Sequence, residues 1–208
     1  TVSNKHATHV AGVIARQDEN IRIVPIKVTT QTVQVSSKRK DDITGQLMLA
    51  FEGFMESPYY EPLKDQIASE YQGTKPADRT IKTTLRKYLM NNSLNALFIH
   101  DVLKAVEQLG HENIKIANVS LGTVFKKNYK SDHKIPSFVE DIFAEFVRYQ
   151  IGKTVLEKAQ GTVFLVATGN DGDWIDGIAK TAFPVGITSQ RLIDIAEKLG
   201  LESSPNNR

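Results

Sequence analysis

The chain has 208 residues, 40% of them hydrophobic and 24% charged, which is typical of a globular protein of one large domain or two small ones. Its formal net charge is +2, from 26 basic and 24 acidic residues, so no electrostatic argument favours nucleic acid or an anionic membrane as a partner. Cysteine is absent, which excludes disulfides, thiolate metal ligands and a thiol nucleophile, and the longest apolar runs are too short to cross a bilayer.

The amino-terminal segment predicts a helix followed by a strand. Apolar residues recur at i, i+3 and i+4 within residues 6–15, which indicates a helix, and Ser3 or Asn4 offers a side chain to cap it. Residues 21–28 are rich in β-branched side chains and predict a strand. Pro25 conflicts with a central place in a sheet, because it has no N–H to donate to a neighbouring strand.

The stretch from about residue 29 to residue 95 predicts a mainly helical insertion. Residues 43–55 and 81–90 have helical periodicity, and residues 57–60 and 72–76 between them have the composition of turns and loops. We interpret the charged run 36–42 as a solvated bend. A connection this long is expected to fold rather than to remain a free loop, and it would form a lid or a docking surface.

The second half of the chain alternates helices with strands. Residues 97–109 and 138–159 predict helices, with Gly152 a candidate break in the second, and residues 114–121 and 162–167 predict strands. The last of these is apolar throughout, which is typical of a parallel strand covered by helices on both faces. The chain is therefore predicted to be an α/β protein with a parallel sheet and helices on both faces.

Two short stretches close the predicted strands, NVSLG at 118–122 and ATGNDG at 167–172. Open parallel sheets bind ligands at the carboxyl ends of their strands, so these stretches are the first places to look for a site. A histidine at the start of a helix that follows a strand would lie along the same edge. By composition alone, the second stretch suits a tight turn equally well.

Four blocks of sequence together resemble the subtilisin-like serine peptidases, or subtilases. They are HATHVAG at 6–12, RIVPIKV at 22–28, NVSLG at 118–122 and VATGNDG at 166–172, and they occur in the family's order. The blocks anchor nearly the whole chain except the insertion. The resemblance implies a three-layer α/β fold and a serine endopeptidase that hydrolyses peptide bonds of a protein or peptide substrate through an acyl-enzyme.

The same resemblance makes His6 the general base. A neutral imidazole can take the proton of a serine hydroxyl and return it to the leaving amine, and the positive end of a helix disfavours the imidazolium form. In an isolated His-x-x-His pair a packing or capping role would be commoner. A metal role shared with His9 lacks a third ligand and the carboxylate of the zinc-peptidase motif, and His9 is expected to be buried and hydrogen-bonded.

Asn170 is, by the same resemblance, the oxyanion donor, whose amide would stabilise the negative charge that develops on the substrate carbonyl oxygen. Ser120, Leu121, Gly122 and Gly169 are implied to present their backbone to an extended substrate. The two glycines would allow the substrate to approach closely, since they carry no side chain. Ser120 is not expected to be the nucleophile, because this position belongs to the substrate groove in the family.

The chain departs from the family's pattern in three ways. Ala7 replaces the glycine usual after the base, and the 29–95 insertion is much longer than the usual connection. The family's catalytic aspartate precedes its histidine, and its serine follows the asparagine at a greater distance than Ser189 does here. We therefore expect residues 1–208 to be the middle of a catalytic domain, inactive alone, with the remaining segments of that domain as its partners.

Two functions remain open at this point, a subtilisin-type serine endopeptidase and a non-catalytic subtilisin-like scaffold that binds a protein partner. Intact His6 and Asn170 favour the enzyme, because a binding module needs neither a base nor an oxyanion donor. An unrelated α/β binding protein is a third reading, since a fold alone does not determine function.

Three further expectations follow from the resemblance and the composition. Calcium is common in the family, but the sequence shows no ligand cluster, and we expect no cofactor. Family habit favours a secreted or extracytoplasmic location, with no nucleic-acid or membrane partner. If neighbouring strands lie outside the chain, unpaired edges and apolar faces would make residues 1–208 poorly stable or prone to aggregate on their own.

Overall fold

The computed structural model describes residues 5–17, 20–26, 28, 36–70, 75–91, 93–119, 123–124, 137–166, 182–183 and 189–201. Helices dominate these residues, and none of the described helices is long and apolar enough to cross a membrane. The elements are α1 (Lys5–Ala15), α2 (Ser37–Met55), α3 (Tyr60–Glu70), α4 (Asp78–Asn91), α5 (Ser93–His111), β1 (Ile116–Val119), β2 (Thr123–Val124), α6 (Ser137–Lys158), β3 (Val163–Val166), β4 (Ala182–Phe183) and α7 (Ser189–Lys198).

One hydrophobic core joins helices α2 to α7, and its centre is aromatic. Phe51, Phe54, Tyr60 and Phe146 are almost completely buried, with ring centroids 5.3 to 6.3 Å apart. The ring of Phe51 meets that of Phe146 edge to face, a geometry that contributes about 0.5–1.5 kcal/mol beyond the burial itself. The helices between residues 29 and 95 therefore share a core with the rest of the chain.

The charged run 36–42 is not a bend, because it forms the start of α2. Ser36 caps the helix, since its hydroxyl accepts a hydrogen bond from the backbone N–H of Arg39 at 3.3 Å. The run is largely exposed, as expected of its charges. A serine followed by good helix formers is a helix-start signal, and here it outweighs the tendency of charge runs to form loops.

Helix α3 lies between the two helices predicted for this part of the chain, over residues for which the sequence predicts no helix. Its sequence contains Pro62, which usually argues against a helix. The proline stands in the first turn, where the missing N–H has no partner to lose, and Glu61 beside it favours the positive end of the helix. The helix is thus compatible with its sequence once its start is placed at Tyr60.

The prediction of a strand over residues 21–28 is wrong, because the described part of this segment has no regular secondary structure. Ile26 and Val28 pack against the core while Ile23 and Pro25 are exposed, so alternate residues face inward as they would in a strand. No described strand pairs with the segment. Pro25 contributes to this result, since it has no N–H to donate.

Helix α5 confirms the predicted amphipathic helix and ends in a turn that leads into β1. The N–H of Ile114 donates to the carbonyl of Leu109 at 2.9 Å, and Asn113 between them has a φ of 52°. This left-handed residue closes the helix in the manner of a Schellman motif. The strand therefore starts from a fixed point at the end of α5.

Strands β1 and β3 form a parallel pair, which confirms the two strands and the parallel sheet predicted from the sequence. Their register runs from Ile116 opposite Val163 to Val119 opposite Val166. Together with the surrounding helices, this pair is consistent with an incomplete α/β fold of the subtilisin type.

The expected burial of the second strand on both faces is wrong for the described residues. Ala117 and Phe164 lie on the face that packs against the helical core. On the opposite face Ile116, Val163 and Leu165 are 62%, 59% and 54% exposed. No described helix covers this face, so the sheet is covered on one side only within the described residues.

Helix α6 is continuous, so Gly152 does not break it. A Cβ atom at Gly152 would lie 2.6 Å from Cδ1 of Ile195 in α7. The glycine therefore allows close packing of α6 and α7, and its role concerns helix contact rather than helix termination. Helix α7 begins at Ser189 and ends at Lys198.

Candidate active site

The carboxyl ends of β1 and β3 lie side by side, because Val119 is the register partner of Val166. Ser120 follows the first of these residues directly, and Gly169 and Asn170 follow the second after a short interval. Parallel strands of an α/β sheet present ligand sites at this edge. In both stretches, the residues that come after the strand therefore start from adjacent strand ends.

Each of these stretches also connects the same two sheets. Residues 120–122 link β1 to β2, and residues 167–181 link β3 to β4. Strands β2 and β4 pair in antiparallel fashion, with Thr123 opposite Phe183. Only three residues separate β1 from β2 in the sequence.

Of the predicted site residues, only His6 falls within the described part of the chain. Its backbone belongs to the first turn of α1, as the sequence predicts, and its side chain is outside the description. The roles assigned to the remaining residues stay predictions, because these residues lie outside the described ranges: Ser120, Leu121, Gly122, Gly169 and Asn170.

The position of His6 one residue into α1 gives it a positive surrounding. The first backbone N–H groups of a helix have no partner within the helix and carry partial positive charge. The first turn of α1 contains no acidic residue to offset them, and Lys5 precedes the histidine. Partial positive charge of this kind disfavours a further positive charge close to the first turn.

The expectation that His9 is buried is wrong, because its side chain is exposed. Only Val10 and Ile14 of this helix are half-buried among its larger apolar residues, and Val13 is 48% exposed. The face that carries His9 is therefore a solvent-facing one. Residues at i and i+3 on a helix can share a ligand, but no group of three metal-binding side chains occurs among the described residues.

Among the described residues, Tyr59 and Tyr60, in or against the helical core, have clearly raised pKa values. Burial and a hydrogen bond to Asp78 raise the pKa of Tyr60 above its ordinary range. Burial, and next the charge of Asp194, raises the pKa of Tyr59 to about 12. These tyrosines keep their protons at neutral pH, so neither is suited to act as a base.

Comparison with known proteins gives one match. The family model of the subtilases matches residues 1–191, which include α1, the helices between residues 29 and 95, and both stretches at the strand ends. No curated protein matches the chain, and neither does any solved structure.

Proposed function

The chain belongs to the subtilase family of serine peptidases, and we propose that it supplies the base histidine and the oxyanion asparagine of a subtilisin-type endopeptidase. The observation that supports this most is the in-register pairing of β1 with β3, ending at Val119 and Val166. Because parallel strands of an α/β sheet present ligand sites at their carboxyl ends, this pairing supports the proposal that the segments of Ser120 and Asn170 form one site.

In this proposal His6 acts first as a base and then as an acid. Its imidazole takes the proton of a serine hydroxyl while the serine oxygen bonds to the carbonyl carbon of the peptide. The proton then passes to the leaving amine as the C–N bond breaks, and water later hydrolyses the acyl-enzyme. The serine and the aspartate that orients the histidine are proposed to come from parts of the same domain outside residues 1–208.

Asn170 is proposed to donate its side-chain N–H to the carbonyl oxygen of the substrate. The oxygen becomes negative in the tetrahedral intermediate, so a fixed donor lowers the energy of the transition state more than that of the bound substrate. Ser120, Leu121 and Gly122 are proposed to hold the extended peptide through backbone hydrogen bonds, with Gly169 leaving room beside them.

For the location of the protein and for metal binding, the proposal rests on what is typical of the family. Subtilases are typically secreted or extracytoplasmic, and we propose the same for the protein that contains this chain. Calcium is common in the family, but the described residues contain no group of three carboxylate or histidine ligands. No step of the proposed mechanism involves a metal.

The test is a set of alanine substitutions in the full-length protein, assayed with a peptide substrate. His6→Ala is expected to lower kcat by about 10⁴–10⁶-fold. Asn170→Ala is expected to lower it by about 10²–10³-fold, the magnitude known for the corresponding donor in subtilisin. His9→Ala is the matched control, because this histidine is exposed on the same helix, and it should leave kcat unchanged.

Two outcomes would contradict the proposal in different ways. Unchanged hydrolysis by His6→Ala, or an equal loss in His9→Ala, would end the assignment of the base. A full-length protein that binds a protein partner but hydrolyses no peptide would favour the non-catalytic scaffold instead.

A further inference from the structure

The amino ends of β1 and β3 are joined by a side-chain hydrogen bond that spans 48 residues of sequence. The hydroxyl of Thr162 donates to the carbonyl of Ile114 at 2.7 Å. The backbone N–H of Thr162 is engaged elsewhere, with the carbonyl of Ala159 at 3.0 Å. The hydroxyl is therefore an additional link between the two strands.

Two backbone contacts occur at the same end of the pair. The N–H of Val163 donates to the carbonyl of Lys115 at 2.8 Å, which is the first ladder bond. Gly110, near the end of α5, lies against the carbonyl of Lys158 at the end of α6. Both helices that lead into the strands are thus fixed relative to each other where the strands begin.

The hydrophobic pattern alone specifies the register of these strands weakly. Strand β3 is apolar at all four positions from Val163 to Val166, so a shift along β1 would not exchange a polar face for an apolar one. Each residue of shift moves the following segment by about 3.3 Å. A shifted register would therefore separate or misalign the segments that follow Val119 and Val166.

We propose that Thr162 is a positioning residue, which fixes the register of β3 on β1 and thereby the offset between the segments of Ser120 and Asn170. This inference rests on the proposed function, because the offset affects catalysis only if those segments form one site. Misplacement of a reacting group by about 1 Å can cost about 10²-fold in rate, so a small change of register would be visible in turnover.

The test uses Thr162→Val and Thr162→Ser in the full-length protein. Valine keeps the shape of threonine without the hydroxyl, and serine keeps the hydroxyl. We expect Thr162→Val to lower kcat by about 10–10²-fold with KM changed by less than about threefold, and Thr162→Ser to restore most of the loss. The kcat of each variant should be normalised to its folded fraction, so that a loss of stability alone does not imitate the effect.

Thr154→Val is the matched control. Thr154 is buried and its hydroxyl likewise donates to a backbone carbonyl, that of Gln150 at 2.8 Å, but this bond lies within α6 and links no strands. The control should leave kcat of the folded protein unchanged. An equal loss of kcat in Thr154→Val, or unchanged kcat in Thr162→Val, would overturn the proposal in an active protein.

Amide hydrogen exchange at Val163 tests the same inference without relying on activity. The exchange of this amide should be faster in Thr162→Val than in the wild type and close to the wild-type rate in Thr162→Ser. Unchanged exchange in Thr162→Val would overturn the register role. Failure of the wild-type protein to hydrolyse peptides would count against the proposed function, while faster exchange would still support the structural half of the inference.

Discussion

Nζ of Lys64 in α3 lies 2.8 Å from Oδ1 of Asp78 at the start of α4, and the lysine side chain is only 9% exposed. The hydroxyl of Tyr60 donates to the same oxygen at 3.0 Å, and Lys64 also contacts Glu61 at 3.1 Å. A mostly buried ammonium needs such partners, because removal from water is costly for a charge. The network therefore couples α3 to α4 at the edge of the helical core.

Replacement of Asp78 by asparagine should destabilise the fold. The change leaves Lys64 with Glu61 as its only described anionic partner, and it weakens the acceptor for Tyr60. We expect a loss of about 1–3 kcal/mol in the free energy of unfolding, measured with urea.

The control for this substitution is Asp65→Asn. Asp65 pairs with Lys75 at 2.5 Å, but both side chains are largely exposed, so the loss should stay below about 1 kcal/mol. Equal losses in the two variants would contradict the importance of burial for the Lys64–Asp78 pair.

Stability should fall at acidic pH in a way that depends on Asp78. The hydrogen bond from Lys64 is the largest cause that lowers the pKa of Asp78. Burial of the carboxylate opposes it by raising the pKa, while the hydrogen bond from Tyr60 and the positive charge of Lys82 lower the pKa further. A group with a lowered pKa in the folded state stabilises the fold above its unfolded pKa, and this contribution disappears as the pH falls through the folded value.

The measurement is the free energy of unfolding between pH 2 and pH 7 in the wild type and in Asp78→Asn. The difference between the two proteins should be largest above about pH 4 and should shrink below it. A difference that stays constant over this range would mean that ionisation of Asp78 does not contribute to stability.

The sequence predicts those parts of the fold that depend on local pattern. Helix α5 is an example, because Ile99, Val102 and Val106 recur at helical spacing and all three are buried. The parallel strands were also predictable, since each is a short apolar run between helices. Helix α3 was not predicted, because it is short and lies between two segments with the composition of turns, and Pro62 in its first turn is compatible with a helix.

What the pattern could not supply is tertiary context. The apolar run of β3 predicts burial, yet Val163 and Leu165 are exposed, because burial depends on what lies against a strand and not on its sequence. For the candidate site, the sequence predicted His6 at a helix start, and the structure agrees on the helix. No sequence motif indicates the proposed role of Thr162, because its hydrogen-bond partner, Ile114, lies 48 residues away in the sequence.

The exposed face of the sheet should make the 208-residue chain self-associate. Ile116, Val163 and Leu165 form a contiguous apolar surface on a short sheet, and such surfaces promote association. Leu165→Thr replaces leucine with a β-branched residue, which suits a strand, and makes the face more polar. We expect a higher soluble concentration with little change in unfolding free energy, measured by light scattering and urea titration.

A substitution on the opposite face serves as the control for that prediction. Phe164→Thr removes a side chain that packs against the core, so it should lower stability and should not improve solubility. A monomeric wild-type chain with a high melting temperature would contradict the prediction, because it would mean that the exposed face has no effect on association.

Gly110→Ala should be among the more damaging glycine substitutions in the described helices. A Cβ atom at this position would lie 1.6 Å from the carbonyl oxygen of Lys158 and 2.6 Å from its carbonyl carbon. Both atoms belong to the backbone, so α5 and α6 would have to move apart. We expect a loss of about 1–3 kcal/mol or more in the free energy of unfolding, because overpacked backbone has no flexible side chain that can yield.

Gly53→Ala is the matched control, since Gly53 lies in α2 with no atom within 4 Å of the added Cβ. Alanine is the better helix former, so this variant should gain about 0.5–1 kcal/mol. Gly110 and Thr162 fix the same end of the strand pair, so Gly110→Ala combined with Thr162→Val should cost less than the sum of the single losses. Strict additivity would mean that the helix contact and the hydroxyl act independently on the start of β3.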